Sequence, residues 1–256
     1  MASADRVRVA VVGCGVAAWV GHLPWLWAHP DVDLVAVCDA QADRAQAAQR
    51  RYAIATATTR YDDVLARDDI DAVSICTPPA HHAVMAIAAA RAGKHVLLEK
   101  PMGRSVQECD AMIEAARQSG TILMLGHEKR FNVACEQVKR VIESGAVGKP
   151  FSTAVHWGAS VKLDPERMIP AGYRENYEWR WRDASVGGGI LQDHLPHYVD
   201  LWRGWTGAEV ESVCAEAQNV TRDYLDRPSI GVWEDFGVVL MRFTDGAVAT
   251  FETGTV

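Results

Sequence analysis

The feature that most constrains this chain is the β-branched run Val7–Val12, followed at once by Gly13-Cys14-Gly15-Val16-Ala17-Ala18. An apolar run that stops at a glycine pair and reopens as a helix reads as strand, turn, helix, with the spacing G-x-G-x-x-A. Gly13 permits the tight turn, Gly15 lets the backbone approach a pyrophosphate, and Ala18 allows close helix–strand packing. The helix N-terminal N–H groups around Val16 and Ala17 then face the anion. A plain turn is the simpler alternative, and the flanking strand and helix argue against it. The next strand, Leu34–Cys38, ends in Asp39. A carboxylate there accepts hydrogen bonds from an adenosine ribose and repels a 2′-phosphate, which favours NAD over NADP; a strand-end acid or helix cap is the competing role.

The first half keeps this rhythm. Helices are expected over Ala18–His29 (limited or kinked by Pro24), Ala42–Arg51, His82–Ala92 and Val106–Gln118, the last two closed by Gly93 and Gly120. Strands are expected at Asp71–Cys76, His95–Leu98 and Ile122–Leu125. Short strands alternating with helices imply parallel βαβ units and a doubly wound sheet. The pattern changes after Gly126. A helix Phe131–Ser144, a strand Phe151–Trp157, an aperiodic stretch Gly158–Val186 and a helix Gly188–Gly204 precede three strand-like runs, Val210–Gln218, Phe236–Phe243 and Val248–Thr253. The turn Thr244-Asp245-Gly246 suggests antiparallel pairing. The expected fold is therefore α/β: a dinucleotide-binding Rossmann domain over 1–126, and an α+β domain over 127–256 with an open, mostly antiparallel sheet.

A net charge of −7 argues against a nucleic-acid surface. The apolar run near the N-terminus is too short to span a bilayer and has no cleavage pattern, so neither membrane nor signal peptide is expected. The six cysteines are scattered without a C-x-x-C pair, and the histidines form no compact ligand set, so neither a disulfide framework nor a metal site is expected. These features fit a reduced, cytoplasmic protein.

Further motifs stand at Thr77-Pro78-Pro79-Ala80-His81-His82, at Glu99-Lys100-Pro101, at Trp179-Arg180, and at Gly187-Gly188-Gly189-Ile190-Leu191-Gln192-Asp193-His194-Leu195-Pro196-His197-Tyr198-Val199-Asp200. Their joint spacing resembles the Gfo/Idh/MocA oxidoreductase family over nearly the whole chain. The resemblance implies hydride transfer between NAD(P) and a sugar, inositol-like polyol or sugar acid, and an open C-terminal sheet that forms an oligomer interface. It implies that Lys100, Asp193 and His197 are catalytic, and that Thr77, Pro78, His82, Glu99 and Lys100 line the cofactor. Two departures matter. The glycine of the family's D-x-G-x-H is Leu195, followed by Pro196, which adds bulk near the substrate and can bend the helix. The chain also stops at Val256, where the family pattern continues with further strands and a return helix.

The chemistry fits these residue types. An imidazole titrates near neutral pH as a residue type, so His197 can act as base. Asp193, four residues earlier, shares its helix face and can orient the ring. The Lys100 ammonium can stabilise a developing alkoxide. His156 is either a substrate contact or a core histidine, and Arg180 either clamps a substrate oxygen or pairs with an acid. Two further functions are compatible with the same residues: a redox-neutral enzyme that holds NAD tightly, and a non-enzymatic NAD-binding sensor.

Overall fold

The computed structural model describes residues 6–158, 188–220 and 233–254. The expectations for Arg180 and for most of 158–186 lie outside the described residues. The chain divides into two compact units, Met1–Gly126 and His127–Val256.

The first unit is built on β1 (Val7–Val12), β2 (Val32–Cys38), β3 (Thr56–Thr58), β4 (Ala72–Ile75), β5 (His95–Leu98) and β6 (Leu123–Leu125), in the order β3-β2-β1-β4-β5-β6. Every pairing is parallel. Parallel strands need crossovers, supplied here by α1 (Leu23–Ala28), α2 (Ala42–Tyr52), α3 (Tyr61–Leu65), α4 (Pro79–Arg91) and α5 (Val106–Ser119). The period-2 alternation of the strands sorts the core into two layers. Ala10, Val12, Ala36 and Cys38 face Val64, Ala86, Ala89 and Met112 of α3 to α5. Val11 and Val37 face Ala18, Leu23, Ala48 and Tyr52 on the other side. The strand order reverses between β1 and β4, the point at which such sheets bind ligands beyond their carboxyl edge.

Two elements of this unit have no counterpart in the sequence reading: β3 and α3, of three and five residues, are too short to show a period. The helix after the glycine loop also departs from the expected form. Residues Ala18–His22 form a π-helical segment, and α1 begins only at Leu23, with Pro24 in its first turn. The missing N–H of Pro24 is harmless in a first turn, so the register change before it accommodates the proline.

The second unit contains α6 (Val133–Glu143), β7 (Ser152–Gly158), α7 (Ile190–Thr206), β8 (Val210–Gln218), β9 (Phe236–Phe243) and β10 (Val248–Gly254), with sheet order β7-β10-β9-β8. β8, β9 and β10 pair antiparallel, whereas β7 joins β10 in parallel. One face of this mixed sheet carries Val239, Met241, Phe243, Ala249 and Phe251, which pack with Trp202, Leu191, Leu195, Tyr198 and Val199 of α7. The other face presents Val238, Leu240 and Glu252 outward.

Among the described residues no helix is long and apolar enough to cross a membrane.

Candidate active site

In the first unit, the chemistry-bearing residues collect where β1, β2, β4 and β5 end. The Gly13 amide donates to Cys38 O at 2.8 Å, and the Cys76 amide donates to Val12 O at 2.7 Å, so the loops after three strands are stitched together. Gly13 has φ +89°, and a Cβ built on it would stand 2.9 Å from the backbone of Cys76 and Thr77. No side chain fits there. Gly15 is different: a Cβ there meets nothing within 4 Å. The loop thus leaves open space above Gly15 while the helix beginning at Val16 presents first-turn N–H groups with no intrahelical acceptor. That cradle suits the pyrophosphate of a dinucleotide.

Asp39 is buried, and both of its oxygens are engaged. Oδ2 accepts from the Cys14 amide at 2.7 Å and Oδ1 from the Gln41 amide at 2.8 Å. It therefore braces the glycine loop and the start of α2. A carboxylate has about four lone-pair sites, so this role leaves acceptor capacity for ribose hydroxyls. The neighbouring thiols are inert. Burial, reinforced by Asp39, pushes Cys14 up to about 12 and Cys38 to about 11.

Thr77 and Pro78 are half-buried at the end of β4, where Pro78 is the N-cap of α4. His82 requires a correction. Its ring is fully buried and spans two backbone carbonyls, with Nε2 2.8 Å from Thr77 O and Nδ1 2.8 Å from Pro101 O. It clamps the Thr77 loop to the Lys100–Pro101 loop and has no surface left for a cofactor. Burial is the leading influence and lowers its pKa, so the neutral ring donates to one carbonyl only.

Glu99 and Lys100 follow β5. The Glu99 carboxylate is mostly buried; Oε1 lies 2.7 Å from His22 Nε2, and Oε2 accepts from the Lys100 amide at 3.0 Å. Burial opposes its charge, but the hydrogen bond from His22 and the charges of His22 and Lys100 prevail, and its pKa ends below the usual value. The sequence reading missed His22. One signal was available: positions 15, 18 and 22 follow a helical i, i+3, i+7 spacing from the glycine loop, and that spacing marks the packed face.

In the second unit, α7 carries two stripes. Leu191, Leu195, Tyr198, Val199 and Trp202 face the sheet. Asp193, His197 and Asp200 recur at i, i+4 and i+7, and all three are buried. Buried polar groups need partners, and these come partly from the 3₁₀ segment Glu128–Phe131 and from His127 before it. Arg130 grips Asp200 with two 2.6 Å hydrogen bonds. His127 Nε2 stands 3.9 Å from Asp200 Oδ1, and Glu128 Oε2 stands 3.6 Å from His197 Nδ1. The rings of His127 and His197 meet edge to face at 6.4 Å. Asp193 Oδ2 lies 3.7 Å from His194 Nε2, and His194 stacks on Trp157 with centroids 3.9 Å apart. Glu128 and Arg130 were not singled out from the sequence, and His127 was weighed there only as one of the histidines that form no metal-ligand set.

Gly189, just before α7, serves packing. A Cβ at Gly189 would run into Glu234, whose Oε1 accepts from the Leu191 amide and caps the helix. Leu195 corrects a second expectation: its bulk goes into the sheet core, and α7 continues through Pro196. His156 is a third correction. The alternation along β7 turns Trp157 toward α7 and His156 to the opposite face, where its side chain is 71% exposed and 3.7 Å from Glu252. It is neither a core histidine nor on the face that packs against α7. Among the described residues no three His, Cys, Asp or Glu side chains are grouped to hold a metal.

Comparison with known proteins agrees with this architecture. Residues 7–127 match the model of the oxidoreductase family's NAD-binding Rossmann fold, and residues 135–256 match the GFO/IDH/MocA C-terminal domain. An uncharacterized oxidoreductase, YrbE, of Bacillus subtilis is 31% identical over 96% of this chain and 67% of its own length. Myo-inositol 2-dehydrogenase of Thermotoga maritima is 28% identical over 96% of this chain and 68% of its own. The structure of the WlbA dehydrogenase from Bordetella pertussis in complex with NADH and UDP-GlcNAcA superposes with a TM-score of 0.81 at 28% identity, over 98% of this chain and 67% of that one. The chain spans about two thirds of the length of these relatives. With a cradle that admits no side chain at Gly13 and the family's match running through both units, this chain belongs to the Gfo/Idh/MocA family of NAD-binding oxidoreductases.

Proposed function

We propose that this protein is an NAD-dependent dehydrogenase or reductase that moves a hydride between the cofactor and a secondary alcohol or ketone of a sugar, inositol-like polyol or sugar acid. Residues 1–126 hold the dinucleotide, and 127–256 hold the substrate. The observation that carries this reading is the pair of buried polar residues Asp193 and His197, one turn apart on α7, in a chain of an oxidoreductase family. A buried acid and histidine are costly to keep in a core, and proton transfer gives them a use.

Bound nicotinamide supplies the hydride acceptor. In the direction of oxidation, His197 takes the hydroxyl proton, Asp193 supports the resulting imidazolium, and the Lys100 ammonium stabilises the developing alkoxide. Gly13, Gly15, Val16 and Ala17 cradle the pyrophosphate, Asp39 accepts from the adenosine ribose, and Thr77, Pro78 and Glu99 line the nicotinamide end. The relatives named for myo-inositol and for a UDP-sugar complex support a carbohydrate-like substrate. The outward sheet face of Val238, Leu240 and Glu252 is proposed as a self-association surface.

The test is absorbance at the reduced-nicotinamide band, with NAD and a panel of sugars, inositols and sugar acids. A cofactor-dependent rise with one substrate class is expected, falling about 10²–10⁴-fold in His197→Ala or Lys100→Ala. A flat trace despite NAD binding refutes the net dehydrogenase.

A further inference from the structure

His22 is a buried histidine that the proton transfer above does not use, and its surroundings are specific. It lies in the π-helical segment Ala18–His22, only 6% exposed. One ring nitrogen, Nε2, is 2.7 Å from Glu99 Oε1, and the other, Nδ1, is 2.8 Å from the Ser74 hydroxyl. An ionised carboxylate only accepts, so Nε2 bears a hydrogen. Ser74 is fully buried on β4 and fixes the other end of the ring. It donates to Nδ1 when the ring is neutral and accepts from it when the ring is charged. In both states Nε2–H points at Glu99.

Glu99 passes this constraint on. Its second oxygen turns back onto the amide of Lys100 at 3.0 Å, so the carboxylate is gripped by His22 on one side and by the lysine's own backbone on the other. Gly126 completes the enclosure: a Cβ there would stand 3.3 Å from Leu98 O and 3.7 Å from Glu99 Oε1. The titratable groups that face Glu99 are His22, Lys100, Cys76 and His82. Burial drives the Cys76 thiol well up and the His82 ring down, so both are neutral near pH 7. His22 and Lys100 are left to answer the carboxylate.

We infer that His22 is a positioning residue for Lys100: with its ring fixed by Ser74, it holds the Glu99 carboxylate in the orientation that sets the backbone turn from which the Lys100 ammonium reaches the reacting oxygen. This rests on the reading of Lys100 as a catalytic residue. Catalytic geometry is steep in distance, and a displacement of about 1 Å can cost on the order of 100-fold.

The test uses the full chain labelled with ¹³C-glutamate, the Glu99 carboxyl resonance being assigned by its loss in Glu99→Gln. In the native protein Glu99 titrates below the ordinary carboxylate range. In His22→Ala burial is left to dominate, and the titration moves up. In His22→Gln, which keeps an N–H donor near the same place, it returns toward the native value. Turnover follows the same order, falling about 10–100-fold in His22→Ala and partly recovering in His22→Gln. Should His22→Ala fail to fold, His22→Met, of similar bulk and without a donor, takes its place with the same expected rise. A Glu99 titration unchanged by loss of the donor overturns the inference. If the native enzyme turns over none of the carbohydrates, the dehydrogenase reading fails alone, because the carboxyl titration is read without substrate or cofactor.

Discussion

The two glycines of the phosphate loop have opposite physical duties, and one methyl group separates them. At Gly13 an alanine faces two costs. Its φ of +89° lies where L side chains rarely go, costing about 1–2 kcal/mol. Its Cβ would also stand 2.9 Å from the backbone of Cys76 and Thr77, which cannot swing away as a flexible side chain would; forced overpacking costs about 1–3 kcal/mol. The expected loss for Gly13→Ala is about 2–5 kcal/mol. At about 2.1 cal/mol/K per residue over a unit of 126 residues, that lowers its melting temperature by about 8–19 °C. At Gly15 the added Cβ meets nothing within 4 Å and no positive φ opposes it, so Gly15→Ala should stay within about 0.5 kcal/mol of native stability. It places a methyl where the pyrophosphate must approach, and NAD affinity should fall about tenfold or more, some 1.4 kcal/mol. Thermal melts and NAD titrations on both variants separate the roles. A Gly13→Ala melt within about 3 °C of native refutes the close approach, and native NAD affinity in Gly15→Ala refutes the cradle.

Three further outcomes follow from other parts of the molecule. His82 is buried with its pKa lowered from 6.5, so the unfolded chain binds its proton first; stability is full above pH 6.5 and drains as the pH falls below it. Melting temperature should therefore decline from pH 7 to 5 more steeply in the native protein than in His82→Gln, and equal slopes sink the argument. Arg130→Ala strips the two-bond partner from buried Asp200; because Arg130 is itself 46% exposed, a loss of about 3 kcal/mol is expected from chemical denaturation, with Arg130→Lys in between because lysine lacks the fork. Ala53 closes α2 in the left-handed region at φ 52°, so Ala53→Gly should stabilise by about 1 kcal/mol, and a lower melting temperature contradicts it.

The repeating elements of the first unit were legible because β1, β2 and β4 are rich in β-branched residues, β1, β2, β5 and β6 are followed at once by a glycine or an acid and β4 by Pro78 and Pro79 after two residues, and two of the helices carry a glycine stop. β5, β8 and β9 fall where the composition puts them. β3 and α3 were invisible because three and five residues hold less than two periods of their patterns. The parallel partner of β7 was illegible for another reason. The turn at Thr244–Gly246 speaks only for the hairpin it closes, whereas β7 and β10 are nearly a hundred residues apart, and no local signal sets their relation.

The site residues divide along the same line. Gly13 and Lys100 could be singled out as candidates because each sits inside a linear motif. His22, Ser74 and Arg130 were missed because each matters through a residue far away in the chain: His22 through Glu99, 77 positions on, and Arg130 through Asp200, 70 positions on. A motif records what touches a ligand more readily than what holds the toucher still. His156 and His82 show the converse error. His156 was chosen as a histidine at the end of a strand and His82 from its place in a motif, and strand parity sent the first to the outward sheet face while helix packing buried the second between two carbonyls. Leu195 shows the same effect within a single helix. Read as bulk added to a substrate site, it lies four residues from Leu191 on the apolar stripe of α7, two positions out of phase with Asp193 and His197. Two positions on a helix are about 200°, so a substitution two residues from a candidate site side chain can be spent wholly on the core.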